Sequence, residues 1–492
     1  MNDNKFKVDY QRRSLMKGLA AVTLASSVMP GSLFAAGRGP TAVIIGAGIA
    51  GLSAAWDLRK AGFQVSIFEK EEFTGGRMVE LQTGPLHGAP HAEGVFNENK
   101  EMFALAAELG IEKKVRGESY NEVWNPENGI GLDNGHGIYN PGGMSDFDIE
   151  GAMKIPGLSA ETINKLPLLQ ADMDEIYATV DPCLLETGTA FDNESVGEYY
   201  MRKLGKVAGK EIMDYKIDQN CNAWCWDPFE TSKVAVLSWL ASKKQFVYPR
   251  GGIGALTSKL DELLPVQNNT SVRYITPADS NGRHTVHYLD ANLQRRIVTP
   301  DVVVCAVEGK YLDSMVQGLT PKQEALAKNC FFNKQPVVTW VLDKEHAPKE
   351  FALGAYTSSH PDPIKAQIYN WMAMPSYFLS DQPPRIRFSL SRLYTPEWQN
   401  SDMAFADYCW PLIKHVYPQL EKSHVVDTVD YTCDGLINIP VGYVKQMAEV
   451  LREQRKARKG LYLAGEYVSH AHTGGGCASG RSVARDIIGH WT

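Results

Sequence analysis

The chain has 492 residues, of which 44% are hydrophobic and 22% charged, enough for two domains with large cores. Its 57 acidic and 50 basic residues leave a formal charge of −7, which argues against a nucleic-acid partner. No low-complexity tract or short repeat interrupts it.

The chain opens on a candidate leader. Gln11-Arg12-Arg13-Ser14-Leu15-Met16-Lys17 resembles a twin-arginine export signal, and a mildly apolar stretch from Leu19 to Val28 follows. Pro30 and Ala35-Ala36-Gly37 end it, too short and too rich in small residues for a membrane span. Residues 1–37 therefore predict export of an already folded protein to the periplasm, with the segment either cleaved or kept as an anchor.

From Thr41 the elements become regular. Ala42 to Ile45 reads as a buried parallel strand. Gly46, Gly48 and Gly51 follow in GxGxxG spacing, with Ala50 between them, and open a helix over Ile49 to Ala61. The helix N-terminus favours an anion. Phe63 to Phe68 reads as a second strand, with Glu69 and Lys70 at its end, where a carboxylate accepts from ribose hydroxyls. Gly75-Gly76-Arg77 then offers backbone donors and a guanidinium fork for phosphate or ring oxygens. The unit is an α/β, Rossmann-like dinucleotide site, for a nicotinamide or a flavin dinucleotide.

A helix closes at Ala106, Ala107 and Leu109, and residues 113–244 carry helical periodicity, as a cap would. Cys221 and Cys225 lie beside Trp224 and Trp226 in a CxxxC spacing with no second pair, which reads as packing and not as a metal site. The eight cysteines form no disulfide framework. Tyr248 to Leu264 is a glycine turn followed by an amphipathic helix, and strands are expected at Thr285–Tyr288, Arg296–Val298 and Asp301–Val307. Pro336–Leu342 and Arg385–Leu390 read as strands, and Met403–Val416 as a helix with an aromatic face. Downstream of LYLAGE at Leu461 to Glu466, Gly474 to Gly476 start a helix whose stripe is Gly480, Val483, Ala484, Ile487 and Ile488. A helix N-terminus there would stabilise negative charge on a reduced ring.

These motifs together resemble the flavin-dependent amine oxidase superfamily, which includes amine oxidases, protoporphyrinogen oxidases and phytoene-type desaturases. The resemblance rests on GAGIAGL at Gly46 to Leu52, Glu69, GGR at Gly75 to Arg77, FVYPRGGIGAL at Phe246 to Leu256, DVVVCAV at Asp301 to Val307, LYLAGE, and GGCASGR at Gly475 to Arg481. It implies FAD on a glutathione-reductase-like domain with a discontinuous α+β substrate domain. The division is 38–112, 245–307 and 456–492 for FAD, against 113–244 and 308–455 for substrate. It also implies pyrophosphate at Gly46, Gly48 and Gly51, adenosine ribose at Glu69, Arg77 near the flavin, and Gly94, Val95 and Phe96 beside it. Val272 would meet adenine, Gly465 and Glu466 the ribityl phosphate, and Gly475 and Gly476 the flavin ring. Cys477 would lie nearby, with covalent attachment a lesser alternative.

Two enzyme branches and one binding role follow from that resemblance. Many amine oxidases carry a lysine on a substrate-domain strand and an aromatic cage partly in a longer loop after AGE. Here PVVTWVL contains no lysine, Lys334 precedes it, and the short loop from Tyr467 to Gly474 holds His470 and His472. The expectation is a desaturase or dehydrogenase of an apolar isoprenoid, terpene or tetrapyrrole, with His470 or His472 as candidate base. Oxygen, a quinone or a redox protein would be the electron acceptor, and contact with a membrane surface is open. The alternatives are an amine or amino-acid oxidase and a redox-inactive FAD-binding partner.

Overall fold

The computed structural model describes residues 39–79, 95–96, 99–111, 158–241, 246–247, 254–348, 352–356, 358–360, 362–374 and 383–491. The leader, Gly94 and most of the FVYPRGG turn lie outside them.

Strand β1 (Thr41–Ile45) is buried and apolar, helix α1 (Ile49–Lys60) follows it, and β2 (Gln64–Phe68) returns parallel to β1. A two-residue strand β3 (Val95–Phe96) precedes α2 (Lys100–Glu108). The cap then contains α3 (Val196–Leu204), a π turn at Met213–Ile217, α4 (Asp218–Asn222) and α5 (Lys233–Ala241). Ser195 and Glu198 start α3 with a reciprocal capping box, which satisfies two otherwise orphaned donors.

The chain re-enters the first domain through β4 (Phe246–Val247), paired with β3, and β5 (Val266–Gln267). A side meander of β6 (Ser271–Ile275), β7 (Val286–Leu289) and β8 (Arg295–Val298) follows, then β9 (Val302–Cys305). The substrate-domain sheet holds β10 (Phe332–Leu342), β11 (Ala352–Ala355), β12 (Ile368–Met374) and β13 (Arg385–Leu390), and α6 (Phe405–Val416) packs on it. Its last strand is β14 (Val425–Ile437), after which β15 (Gly460–Leu463) and α7 (Thr473–Gly489) return to the first domain.

Two sheets organise the molecule. The first is parallel, in the order β15-β9-β1-β2-β5, and draws its strands from three separated parts of the chain. The second is antiparallel, in the order β11-β12-β13-β10-β14. One face of this second sheet, with Val338, Trp340, Ile386 and Phe388, is sealed by Phe405, Cys409 and Leu412 of α6. The other face turns to the cap. Strand β10 starts four residues before the expected Pro336, because Phe332 and Asn333 pair with Ile437 and Leu436 across a bulge.

Candidate functional site

The site begins at the turn between β1 and α1. Gly51 has to be glycine, since a Cβ there would lie 2.0 Å from the Gly46 carbonyl oxygen. Gly48 is the N-cap of α1, with no side chain capping the helix and no acidic residue in its first turn. A Cβ on Gly48 would meet nothing within 4 Å. Orphaned helix donors beside open space suit a phosphate. Ala50, in the first turn, is buried.

Glu69 is buried at the end of β2. Its Oε2 accepts from the Ala47 amide at 2.8 Å and Oε1 from Glu71 at 2.9 Å. Burial raises its pKa above the usual carboxylate value, against those two donors. The carboxylate keeps lone pairs for hydroxyl donors. Thr270 donates its amide to the Glu69 carbonyl at 2.7 Å, which brings the start of β6, and half-buried Val272, to this end of the site. Lys70, expected beside the cofactor, is 61% exposed and reaches towards Glu71 and over the Tyr311 ring.

The Gly75–Arg77 loop joins the far end of the chain. Gly75 pairs with Gly48, and Arg77 Nη2 meets Glu466 Oε2 at 2.9 Å. Burial pushes the Glu466 carboxyl up, Arg77 opposes the rise, and Glu308 adds to it. Glu308 is held in turn by Lys310 at 2.6 Å. Gly465 before it takes a φ of 128° and donates to Ser479 Oγ at 3.0 Å.

The start of α7 is built differently from its sequence reading. The three glycines serve contacts within the protein. A Cβ on Gly474 would lie 2.2 Å from Asn99 Oδ1, one on Gly475 2.2 Å from the His470 carbonyl, and one on Gly476 3.3 Å from Ile49 of α1. The last contact sets the first turns of α1 and α7 side by side. The Gly475 amide donates to His472 Nδ1 at 3.1 Å, so it is used by the cap. Cys477 is fully buried in the same core as α1, and burial pushes its thiol up to about 12, which leaves it a packing residue and a poor nucleophile.

His472 accepts from Gly475 at Nδ1 and donates from Nε2 to the Pro182 carbonyl at 2.8 Å, which fixes the neutral tautomer. His470 is wholly buried, donates from Nε2 to the Ala235 carbonyl at 2.9 Å and stacks on Trp239. Trp224 and Trp226 stack beside it at 4.5 Å, and the Trp224 indole donates to the Ala471 carbonyl. Both imidazoles bond to backbone carbonyls of the cap and hold the loop against it.

Sequence reasoning missed Asn99. It is 2% exposed, its Oδ1 accepts from Cys183 at 3.5 Å, and its Nδ2 has no hydrogen-bond partner among the described residues. A buried amide donor left over beside a helix N-terminus suits an acceptor oxygen of a bound ring. Only the isolated Asn before an apolar helix could have hinted at it. Val95 and Phe96 form the strand that precedes it.

Open Gly48, the orphaned start of α1, buried Glu69, the Arg77–Glu466 pair and the Asn99 donor offer the groups a flavin dinucleotide would use. A sequence profile described as flavin containing amine oxidoreductase matches residues 49–488. The chain belongs to that family. Its cofactor is FAD. A 1-hydroxycarotenoid 3,4-desaturase from Flavobacterium sp. (strain P99-3) is 54% identical over 43 residues, which is 9% of this chain and 9% of that relative. A redesigned putrescine oxidase superposes with a TM-score of 0.65 at 15% identity, covering 92% of this chain and 99% of the other. A fatty acid isomerase from P. acnes does so at 0.60, also with 15% identity and the same coverage. The fold is therefore shared by proteins whose names point to unlike substrates, and fold alone does not select among them.

Proposed function

We propose that this protein is an FAD-dependent dehydrogenase or desaturase of an apolar molecule of the isoprenoid, terpene or tetrapyrrole kind. Bound FAD supplies a two-electron acceptor for a hydride from an activated carbon, such as an allylic one. The chain supplies position and dryness. Gly48 and the start of α1 hold the pyrophosphate, Glu69 the ribose, and Arg77 with Glu466 the region between phosphate and ring. Asn99 and the start of α7 favour electron density on the ring. The Trp224, Trp226 and Trp239 cluster excludes water from the loop above. Loss of a proton would leave a double bond, and capture of water an alcohol.

One observation carries the choice of branch. Asn333 and Gln335 of β10 bond to cap backbone at Trp224 and Asn222, so Lys334 between them points the other way and is exposed. The strand does contain this lysine, contrary to the sequence expectation, but its side chain is exposed, which does not support a lysine reaching a buried flavin.

Anaerobic mixing with panels of amines, terpenes and porphyrinogens tests the reading. Bleaching of the flavin by an apolar substrate and none by amines is expected, whereas fast bleaching by a primary or secondary amine would overturn it. Export is proposed from Arg12 and Arg13 alone. Replacing both with Lys should strand the protein in the cytoplasm, and undiminished periplasmic recovery would refute that route.

A further inference from the structure

The Arg77–Glu466 pair stands beside the anion seat of α1, where separate parts of the chain converge. A Cβ on Gly46 would lie 2.8 Å from the Ala306 carbonyl oxygen, just past the end of β9. One on Gly76, next to Arg77, would lie 3.4 Å from Gly48 Cα. One on Gly309 would lie 2.9 Å from the ring of Tyr467, next to Glu466. The glycine turn, the Arg77 loop and the chain leaving β9 and β15 are therefore neighbours.

Their charges come in pairs. Arg77 meets Glu466 at 2.9 Å, and Lys310 meets Glu308 at 2.6 Å. Burial raises the Glu466 carboxyl, Arg77 holds it down, and Glu308 pushes it up again. Tyr467 and Cys330, both packed on Gly309, are pushed up by burial and stay neutral. The first turn of α1 contains no acidic residue. Its dipole offers roughly half a positive charge. The group is thus close to balanced, and the diphosphate of FAD adds a doubly negative charge to it.

We propose that Arg77 passes from Glu466 to the diphosphate when FAD binds, and that the Glu466 carboxylate takes up a proton from solvent in exchange. One guanidinium fork fits a phosphate and a carboxylate equally well, so it can serve either. A buried carboxylate deprived of its counter-ion beside phosphate charge is costly until it is neutralised. The Glu466 carboxyl then titrates higher with FAD than without it. FAD is held most tightly below the value of that carboxyl in the free protein. Retention weakens as pH rises towards the higher value in the complex, and is level beyond it. Glu69, at the adenosine end, works in the opposite sense. A carboxylate that accepts from ribose hydroxyls titrates lower with FAD bound, so it does not mimic the effect. The inference concerns the grip on the cofactor and is independent of the substrate.

Dilution of the FAD-loaded protein through a pH series tests this, with released flavin read by fluorescence against free FAD at each pH. The Kd should rise by on the order of 10-fold between about pH 5 and about pH 8. Glu466→Gln keeps the shape and cannot ionise, so its Kd should not rise over that range. Glu308→Gln removes the like charge and should move the rise to lower pH. A wild-type Kd that is level or falls overturns the proposal, and so does an undiminished rise in Glu466→Gln. Should that variant not fold, Glu308→Gln decides, and a rise left in place or moved to higher pH overturns the proposal.

Discussion

Glu69 and Asn99 mark the two ends of the proposed cofactor site at the scale of single residues, and they differ in how they could be found. Glu69 follows a strand by one residue and the glycine turn by about twenty, a spacing with a physical cause, so it was legible. Glu69→Ala should weaken FAD retention by about 10-fold or more, measured as flavin release on dilution, since it removes a charge-assisted acceptor for ribose. Unchanged retention would refute the ribose role. Asn99 was illegible because its burial is made by Cys183, 84 residues away, and by Gly474 at the other end of the chain. Asn99→Leu keeps the branched shape and removes the donor. It should shift the flavin absorption and lower the reduction potential, with FAD content little changed; an unaltered spectrum and potential would show that Nδ2 does not meet the ring. The triple glycine was legible as a helix start. Its cause was not, because three different neighbours require it.

Among elements, the contact of α1 with α7 carries the site, since it sets their first turns together. A Cβ on Gly480 would lie 2.0 Å from the Ala50 carbonyl oxygen, while one on Gly489 of the same helix meets nothing within 4 Å. Gly480→Ala should therefore cost about 1–3 kcal/mol, and Gly489→Ala should be neutral or stabilising by about 0.5–1 kcal/mol. Thermal denaturation of the pair checks the packing with helix propensity held constant; equal melting temperatures would refute it. Arg481 of α7 clamps Asp57 of α1 at 3.0 Å and Glu108 of α2 at 2.7 Å. Burial raises the Glu108 carboxyl, but hydrogen bonds from Lys60, Arg481 and Trp56 hold it at about 2 against a usual 4.5. A depressed carboxyl stabilises the fold above its unfolded value and loses that contribution as pH falls through the folded one. Glu108→Gln should thus melt a few degrees lower at pH 6, a modest gap because the group is partly solvated, and match the wild type near pH 2. A gap that persists at pH 2 would rule out the charge as its cause. Elements with a clean apolar period, β1 and β9, were placed within a residue or two by sequence. Strand β10 was read short because Asn333, Lys334 and Gln335 break its apolar run, and only pairing with β14 makes them strand.

At the scale of the whole molecule, three distant chain segments share one parallel sheet, and the cofactor contacts come from both ends of it. The return of the chain to its start was legible, since both halves carry their own glycine signatures. What the cap does to the site was not, because it depends on contacts such as Trp224 to Ala471, made between segments with no shared pattern. That contact leads to a last expectation. The indole cluster of the cap is fastened to the loop that precedes α7, so the cap and the cofactor domain should melt together when FAD is bound. FAD at a hundredfold its Kd should add about 2.7 kcal/mol to the native state, which for a cooperative unit of nearly the whole chain is a rise of roughly 3 °C. Near-ultraviolet circular dichroism, sensitive to Trp224, Trp226 and Trp239, should move upward with FAD as far as flavin fluorescence does. If the tryptophan transition ignored FAD while the flavin signal shifted, the cap would be a separate unfolding unit, and the Trp224 bond to Ala471 would not couple them.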